Sequence, residues 1–288
     1  MATVVPMPGR ESAPRETWCD LIRRRCGLTF RTSQIPAVLA CVRQHVAARG
    51  TTERAYFEQM CAAADHDPEW LALVELVVNH ETSFFRHPPS FDVLRRHLLP
   101  ELRGARGRNR LNLLSAGCST GQEAYSIAMV AMEDDPRADF AVWGCDISRQ
   151  AIETARSARF GRRAIAGVPD AYRQRFLVTG GTESMPEYEI AEALRRRVRF
   201  SAVNLFAADG TMALSYDVIF CHNVLIYMSG AAVSQIVTHL ATRLVPGGYL
   251  LLGPGEGPTE RPPQLEPVSI AGVRMFRRRS HAQLEGRS

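Results

Sequence analysis

Residues Leu111 to Met132, LNLLSAGCSTGQEAYSIAMVAM, constrain this chain more than any other stretch. They read as an apolar buried strand, a loop of small residues from Ala116 to Gly121, and a helix with Glu123 in its first turn. A strand entering a Gly-containing loop at a helix start is how doubly wound α/β folds hold nucleotides, through backbone N–H groups that face the ligand. The spacing excludes a phosphate cradle. Gly117 and Gly121 are separated by three residues, no Lys follows, and neither G-x-G-x-x-G nor G-x-x-x-x-G-K-[ST] occurs. Glu123 would repel a pyrophosphate but attract a ligand carrying positive charge and hydroxyls. S-adenosylmethionine, with its sulfonium, ammonium and ribose diol, has that chemistry. Taken alone, the segment also suits any doubly wound sheet whose first loop is small and acidic.

With 288 residues and 45% apolar composition, the chain can form one large domain or two modest ones. It has no run of about 18 apolar residues, and its N-terminus, MATVVPMPGRESAPRE, carries acids and prolines in place of a basic, apolar leader. A cytoplasmic protein without membrane insertion is expected. The seven cysteines are scattered and form no C-x-x-C, so they read as reduced core residues, with neither a disulfide framework nor a metal site expected. All 35 basic residues are Arg, which removes Lys Schiff-base chemistry and P-loop phosphoryl transfer. Leu21 to Gly50 holds six Arg and no Asp or Glu. Such a patch suits an acidic protein surface or nucleic acid, or is simply a solvated helix face.

Apolar residues at helical spacing in TWCDLIRRRCGL, IPAVLACVRQHVAARG and DPEWLALVELVVN predict a helical module from Arg15 to about Val78. NHETSFFRHPPSFDVLRRHLLPELRGARGRNR reads as a linker with a helix in its second half. From Leu111 the pattern alternates between apolar strand and helix: LNLLSAG and EAYSIAMVAM, AVWGCDIS and RQAIETARSA, YDVIFCHNVLIY and AVSQIVTHLATRL, then GGYLLLG. This predicts a mostly parallel α/β sheet. Phe160 to Asn204 interrupts the rhythm with a Gly180-Gly181 turn and the short runs EYEIAEAL and RVRFSAV, read as a small antiparallel excursion. Pro246-Gly247-Gly248 reads as a tight turn opening a late strand, and the tail after Phe276 as unstructured.

Asp146 ends the second apolar strand 25 residues after Gly121, where doubly wound folds set an acid against ribose hydroxyls. A turn or helix cap is its structural alternative. His222 and Asn223 follow a later strand and are placed to touch ligand; the structural alternatives are a cap on the next helix for Asn223 and a partly exposed side chain for His222. Tyr227, four residues on, is expected on the helical face of Asn223, with core packing as its alternative. In NHETSFFR, Thr82 and Arg86 flank the apolar pair Phe84-Phe85, which could pin a hydroxyl and a cation beside a ligand carboxylate.

Together NHETSFFR, SAGCSTGQEAYSIA, CDIS, VNL, YDVIFCHNVLIYM and LVPGGYLLLG resemble, in order and spacing, the chemotaxis receptor methyltransferases of the CheR family, from about Thr17 to Phe276. The resemblance implies a Rossmann-like class I S-adenosylmethionine-dependent methyltransferase sheet. It implies an N-terminal helical domain over 1–85 that docks receptor, and a catalytic domain over 86–288 with a β subdomain at about 162–203. The implied activity is methyl-ester formation on glutamate side chains of the cytoplasmic helical domain of chemoreceptors, by a monomer that leaves S-adenosylhomocysteine as product and needs no metal or nucleic acid. Carried over, His80, Thr82, Arg86, Gly117, Glu123, Asp146, Asn204, Leu205, His222 and Asn223 would contact cofactor, with Arg86 and Tyr227 as the catalytic pair. Three departures stand out. The family's Asn two residues before Thr82 is His80 here, with Asn79 one residue earlier. Its Arg-Asn is His222-Asn223, and its G-E-E-P is G-Q-E-A, which keeps Glu123. The alternatives are another methyl acceptor, or a scaffold that binds cofactor without turnover.

Overall fold

Local signals start the helical part. A computed structural model describes residues 17–106, 110–182, 186–207 and 214–280. Helix α1 (Trp18–Cys26) opens on a reciprocal Thr17/Asp20 capping box and closes at Gly27, whose φ of 74° is left-handed. Helix α2 (Ile35–Ala47) carries Pro36 in its first turn. Helix α3 (Glu53–Ala62) is capped by Thr52, and α4 (Pro68–Glu75) by Asp67, which accepts from the Glu69 N–H at 2.8 Å. Their apolar faces share one core around Trp18, Leu21, Tyr56, Met60 and Trp70. Helices α5 (Pro88–Val93) and α6 (Leu99–Arg106), joined through a π turn, lead into the sheet.

The main sheet has seven strands: β1 (Leu111–Ala116), β2 (Phe140–Asp146), β6 (Val198–Ala202), β7 (Tyr216–Cys221), β8 (Leu244–Leu252), β9 (Leu265–Ile270) and β10 (Val273–Arg278). Their order is β6-β2-β1-β7-β8-β10-β9, parallel through β8 and antiparallel in the last two. Alternation along the strands splits the core. Leu113, Val218, Phe220 and Leu251 pack on one face, while Leu114, Ile219, Cys221 and Leu250 pack on the other. Strands with both faces covered read as continuous apolar runs, as these do. Helix α7 (Gln122–Asp134) follows β1, α8 (Arg149–Ser157) follows β2, and α11 (Gly230–Arg243) joins β7 to β8. From β1 the chain builds outward to β2 and β6, then returns to β7 on the other side of β1. That reversal opens a crevice at the carboxyl ends of β1 and β7.

A second sheet, β3 (Arg159–Gly161), β5 (Pro186–Ile190) and β4 (Leu177–Gly181), is antiparallel in that order. Helix α9 (Asp170–Phe176) precedes β4, and α10 (Glu192–Arg195) follows β5. Several local expectations change. RVRFSAV is not part of this excursion but forms β6, the edge of the main sheet, paired parallel to β2 from Val142↔Val198 to Asp146↔Ala202. Its alternation, Val198 and Phe200 in and Arg199 and Ser201 out, suits either sheet. Gly180 and Gly181 lie within β4 opposite Glu187 and Pro186, and part of the turn that follows, 183–185, is outside the described residues. Pro246 to Gly248 sit inside β8, where the pairing with β7 shifts register, so they form a bulge and not a turn. The expected loose tail begins later than Phe276: β10 runs to Arg278, Arg277 pairs with Glu101 at 2.8 Å, and 281–288 lie outside the described residues. No helix among the described residues is long and apolar enough to cross a membrane.

Candidate active site

Beyond the carboxyl ends of β1, β2, β6 and β7 lies a cavity of about 180 Å³. Gly117 and Glu123 come from the β1–α7 junction, Asp146 from the end of β2, Asn204 and Leu205 from the loop after β6, and His222, Asn223 and Tyr227 from the segment after β7. Thr82 and Arg86 reach it from the linker, so these ten expected residues converge. His80 does not line the cavity. Its ring turns to Glu75, Nε2 to Oε2 3.6 Å, while its carbonyl accepts from Ser119 Oγ at 3.0 Å. Glu75 is itself fixed, accepting from Ser148 Oγ at 2.6 Å and from the Gln150 N–H at 3.0 Å. Asn79 lines the wall instead, and its Nδ2 donates to the Tyr227 hydroxyl at 3.0 Å.

The β1–α7 loop spends its amides internally. The Gly117 and Cys118 N–H groups both donate to the Cys145 carbonyl (2.8 and 2.9 Å), that of Ser119 to Asp146 Oδ2 (2.8 Å), and that of Gly121 to the Cys118 carbonyl (3.0 Å). The expectation that free N–H groups point out of this loop fails at these four positions, which is a further reason it cannot cradle phosphate. What it offers instead is acceptors. Glycine is required at 117, where φ is +80° and a Cβ would stand 2.2 Å from Val224 Cγ2.

Glu123 accepts from Ser115 Oγ at 2.7 Å, and its other oxygen lies 3.1 Å from His222 Nδ1. The His222 ring is buried, and its Nε2 lies 3.5 Å from Ser90 Oγ, which in turn meets His87 Nδ1 at 2.8 Å. Asp146 accepts from Ser119 N–H and, at 3.0 Å, from Ser148 N–H. Burial nonetheless pushes its carboxyl above the usual carboxylate range, against the pull of those two bonds. A half-buried acid with spare lone pairs favours a ligand that donates hydrogen bonds or brings positive charge.

Arg86 is exposed, and its Nη1 donates to the Glu81 carbonyl at 2.9 Å. It is aimed by its neighbours. Phe84 and Phe85 are buried, and Phe85 adopts a left-handed φ of 51°, with its N–H held by Ser126 Oγ at 3.1 Å. Tyr227 arrives by a different route from the one its spacing suggested. Asn223 is left-handed (φ 58°), only a single 3-10 turn, Leu225–Tyr227, follows, and α11 is capped by Ser229 and not by Asn223. Asn204 uses its amide structurally, donating to the Arg25 carbonyl at 2.9 Å and accepting from the Phe206 N–H at 3.0 Å.

Sequence reasoning missed the wall given by the helical part: Leu28, Thr29, Phe30 and Gln34 line the cavity. A bridge between Leu28 and Met228, with Thr29 N–H donating to the Tyr227 carbonyl at 2.8 Å, fixes it there. No local pattern marks residues whose partners lie about two hundred positions away. Among the described residues, no cluster of three or more His, Cys, Asp or Glu could hold a metal ion.

Burial first, and then the charge of His222, holds the His87 imidazole below its usual pKa. The folded chain therefore resists a proton that the unfolded chain accepts. Stability from this group is full above the usual imidazole value and is lost as pH falls through the lower folded value. His87→Gln is expected to flatten the decline in unfolding free energy as pH falls below about 6.5, the usual imidazole pKa, measured by urea titration. An unchanged decline would remove His87 as its source.

Residues 80–271 match the family described as CheR methyltransferase, SAM binding domain. The chain is 35% identical over 246 residues to the probable biofilm formation methyltransferase WspC of Pseudomonas aeruginosa, covering 80% of this chain and 57% of that protein. It is 31% identical over 212 residues to chemotaxis protein methyltransferase 1 of Pseudomonas aeruginosa, covering 71% of this chain and 76% of that one. Among solved structures, magnesium protoporphyrin IX methyltransferase from Synechocystis PCC 6803 with bound SAM is similar at a TM-score of 0.39 and 16% identity, covering 67% of this chain and 80% of that one. The chain spans under three fifths of the length of the WspC proteins it matches, 57% and 58%.

Proposed function

The chain belongs to the CheR methyltransferase family, and on that premise we propose that it forms methyl esters on glutamate side chains in the cytoplasmic helical domain of chemoreceptors, using S-adenosylmethionine. The observation that carries this reading is the pair of acids in the cavity lining, Glu123 and Asp146, with the exposed Arg86 and the half-buried Tyr227 lining the same cavity. The donor set fits the cofactor. Two acids stand where a nucleotide phosphate would need amides, and the amides at 117, 118, 119 and 121 are already engaged. In this proposal Asp146 holds the ribose hydroxyls, Glu123 with His222 and Gly117 holds the amino-acid end, and Leu205 with Asn204 and Asn223 lines the adenosine side. Thr82 and Arg86 close the reacting end.

When bound, the cofactor supplies a methyl group on a sulfonium, an electrophile for an oxygen nucleophile. A glutamate carboxylate is ionised at neutral pH, so no residue has to remove a proton. That chemistry would exchange the methyl group's C–S bond for a C–O bond to the carboxylate, with opposite charges cancelling. The chain's own task is alignment and exclusion of water. Because the Tyr227 oxygen accepts from Asn79, its own proton is free to donate to the acceptor carboxylate. Arg86, with one Nη engaged, retains N–H groups for the same carboxylate.

Acceptor docking is proposed for the N-terminal helices. Their basic surface is narrower than composition suggested: Arg23 pairs with Asp20, Arg49 with Glu69, and Arg25 pairs with Asp65 while lying 3.7 Å from the Trp70 ring centroid. Arg31 and Arg43 remain to meet an acidic helix pair. A second reading, favoured by the likeness to WspC, keeps the chemistry and places the methylated receptor in biofilm formation.

The test is incubation with methyl-labelled S-adenosylmethionine and receptor cytoplasmic fragments. Label released as methanol by mild base, and lost when the acceptor glutamates are changed to alanine, is the expected result. Base-stable label would point to another acceptor atom. Cofactor binding with no label on any receptor would point to a non-catalytic scaffold.

A further inference from the structure

Glu256 lies outside the cavity wall and outside every motif read from the sequence, yet its carboxylate organises the turn that carries Asn223 and Tyr227. Oε2 accepts from the N–H of Asn223 at 2.8 Å and from that of Gly253 at 2.9 Å, while Oε1 accepts from the N–H of Ile226 at 3.2 Å. One side chain thus ties the exit of β8 to the exit of β7, neighbouring parallel strands. The chain is shaped for this contact. Residues 253–256 fold back through Gly255 (φ +78°), with the Glu256 N–H donating to the Gly253 carbonyl at 3.0 Å. A Cβ at Gly253 would stand 2.1 Å from Oε2 and 3.2 Å from the Asn223 nitrogen.

The bound amides are ones the turn cannot satisfy itself. Asn223 is left-handed, a costly conformation for a residue with a Cβ, and Ile226 sits in a single 3-10 turn too short to pair its first N–H groups. Glu256 therefore acts as a cap supplied from another strand. From the opposite side Thr29 N–H and Oγ1 hold the Tyr227 carbonyl at 2.8 and 3.3 Å, so the turn is gripped between the helical part and Glu256.

We propose that Glu256 is a positioning residue for methyl transfer, holding the 222–227 turn so that the Tyr227 hydroxyl stays at its bond to Asn79 and in line with the acceptor carboxylate. This rests on the methyl-transfer reading. Displacements near 1 Å can cost about a hundredfold in rate, so the effect belongs in turnover.

Glu256→Gln is the informative change because it keeps the shape but has a single acceptor oxygen. If that oxygen serves Asn223 and Gly253, the amide NH2 opposes the Ile226 N–H. Amide hydrogen exchange of the cofactor-free protein is expected to speed up at least about tenfold in peptides spanning 222–228, with β1 and β2 unchanged. At saturating cofactor and receptor fragment, turnover is expected to fall between about ten- and a hundredfold. Introduced on a Tyr227→Phe background, Glu256→Gln is expected to cost less than about threefold more, because the group it positions is already gone. If Glu256→Gln does not fold, Glu256→Asp, which keeps the charge on a shorter arm, goes through the same cycle. Unchanged exchange at 222–228, faster exchange throughout the sheet, wild-type turnover, or equal losses in the two backgrounds would each overturn the role. If the wild-type protein forms no methyl ester on receptor, the methyl-transfer reading fails, and the exchange result alone decides whether Glu256 orders the turn.

Discussion

Asp146→Ala is expected to weaken binding of S-adenosylhomocysteine by two to four orders of magnitude, measured by isothermal titration calorimetry. The magnitude follows from two hydroxyls donating to one half-buried carboxylate, each such charged hydrogen bond contributing about 1.5–3 kcal/mol. Alanine also frees the N–H groups of Ser119 and Ser148, so the β1–α7 loop loses its link to the end of β2. Asp146→Asn should not restore affinity. The carboxylate now faces two amide donors, one per oxygen, and an Asn would set its own NH2 against one of them. Affinity within threefold of wild type for either variant would remove Asp146 from the ribose site. The preference for a ligand without phosphate rests on the same residues, because burial already makes the Asp146 charge costly.

Arg86→Ala is expected to lower turnover on receptor fragment by a factor of about one hundred to one thousand at saturating cofactor, the range for loss of one preorganised donor. Tyr227→Phe is expected to lower it in the same direction while leaving Asn79 without its acceptor. Arg86→Lys should not rescue. A guanidinium tethered through Nη1 to the Glu81 carbonyl still offers a planar edge to a carboxylate, and an ammonium does not. Steady-state kinetics with a base-labile ester readout decides this, and wild-type turnover for both Arg86→Ala and Tyr227→Phe would sink the alignment role. The substitutions are clean probes because Arg86 is exposed and its aim is set by buried Phe84 and Phe85, which stay in place.

The acidic crevice was legible because its parts are local. Glu123 sits in the first turn of the helix after β1, and Asp146 ends β2, so a strand–loop–helix pattern places both. Thr82 and Arg86 were read from the segment that flanks Phe84-Phe85 and Tyr227 from its spacing to Asn223, while the pairing of Arg86 with Tyr227 came from resemblance; Tyr227 lines the cavity, but from a single 3-10 turn and not from a helical face shared with Asn223. The choice between Asn79 and His80 was not legible. Adjacent residues in irregular chain face different ways, and Glu75, already bound to α8, takes the His80 ring.

By itself the sequence determined the elements and their faces. Continuous apolar runs and capped amphipathic helices mark the buried segments, and strands covered on both sides imply a parallel sheet with a crevice at its carboxyl ends. Only the tertiary structure decided the partners: that RVRFSAV joins β2, that Leu28 to Gln34 wall the cavity, and that Glu256 reaches back to Asn223. Periodicity is written within a few residues, where backbone geometry repeats. Pairing across tens to hundreds of residues is settled by burial and hydrogen-bond satisfaction of the whole chain at once, which no local pattern records.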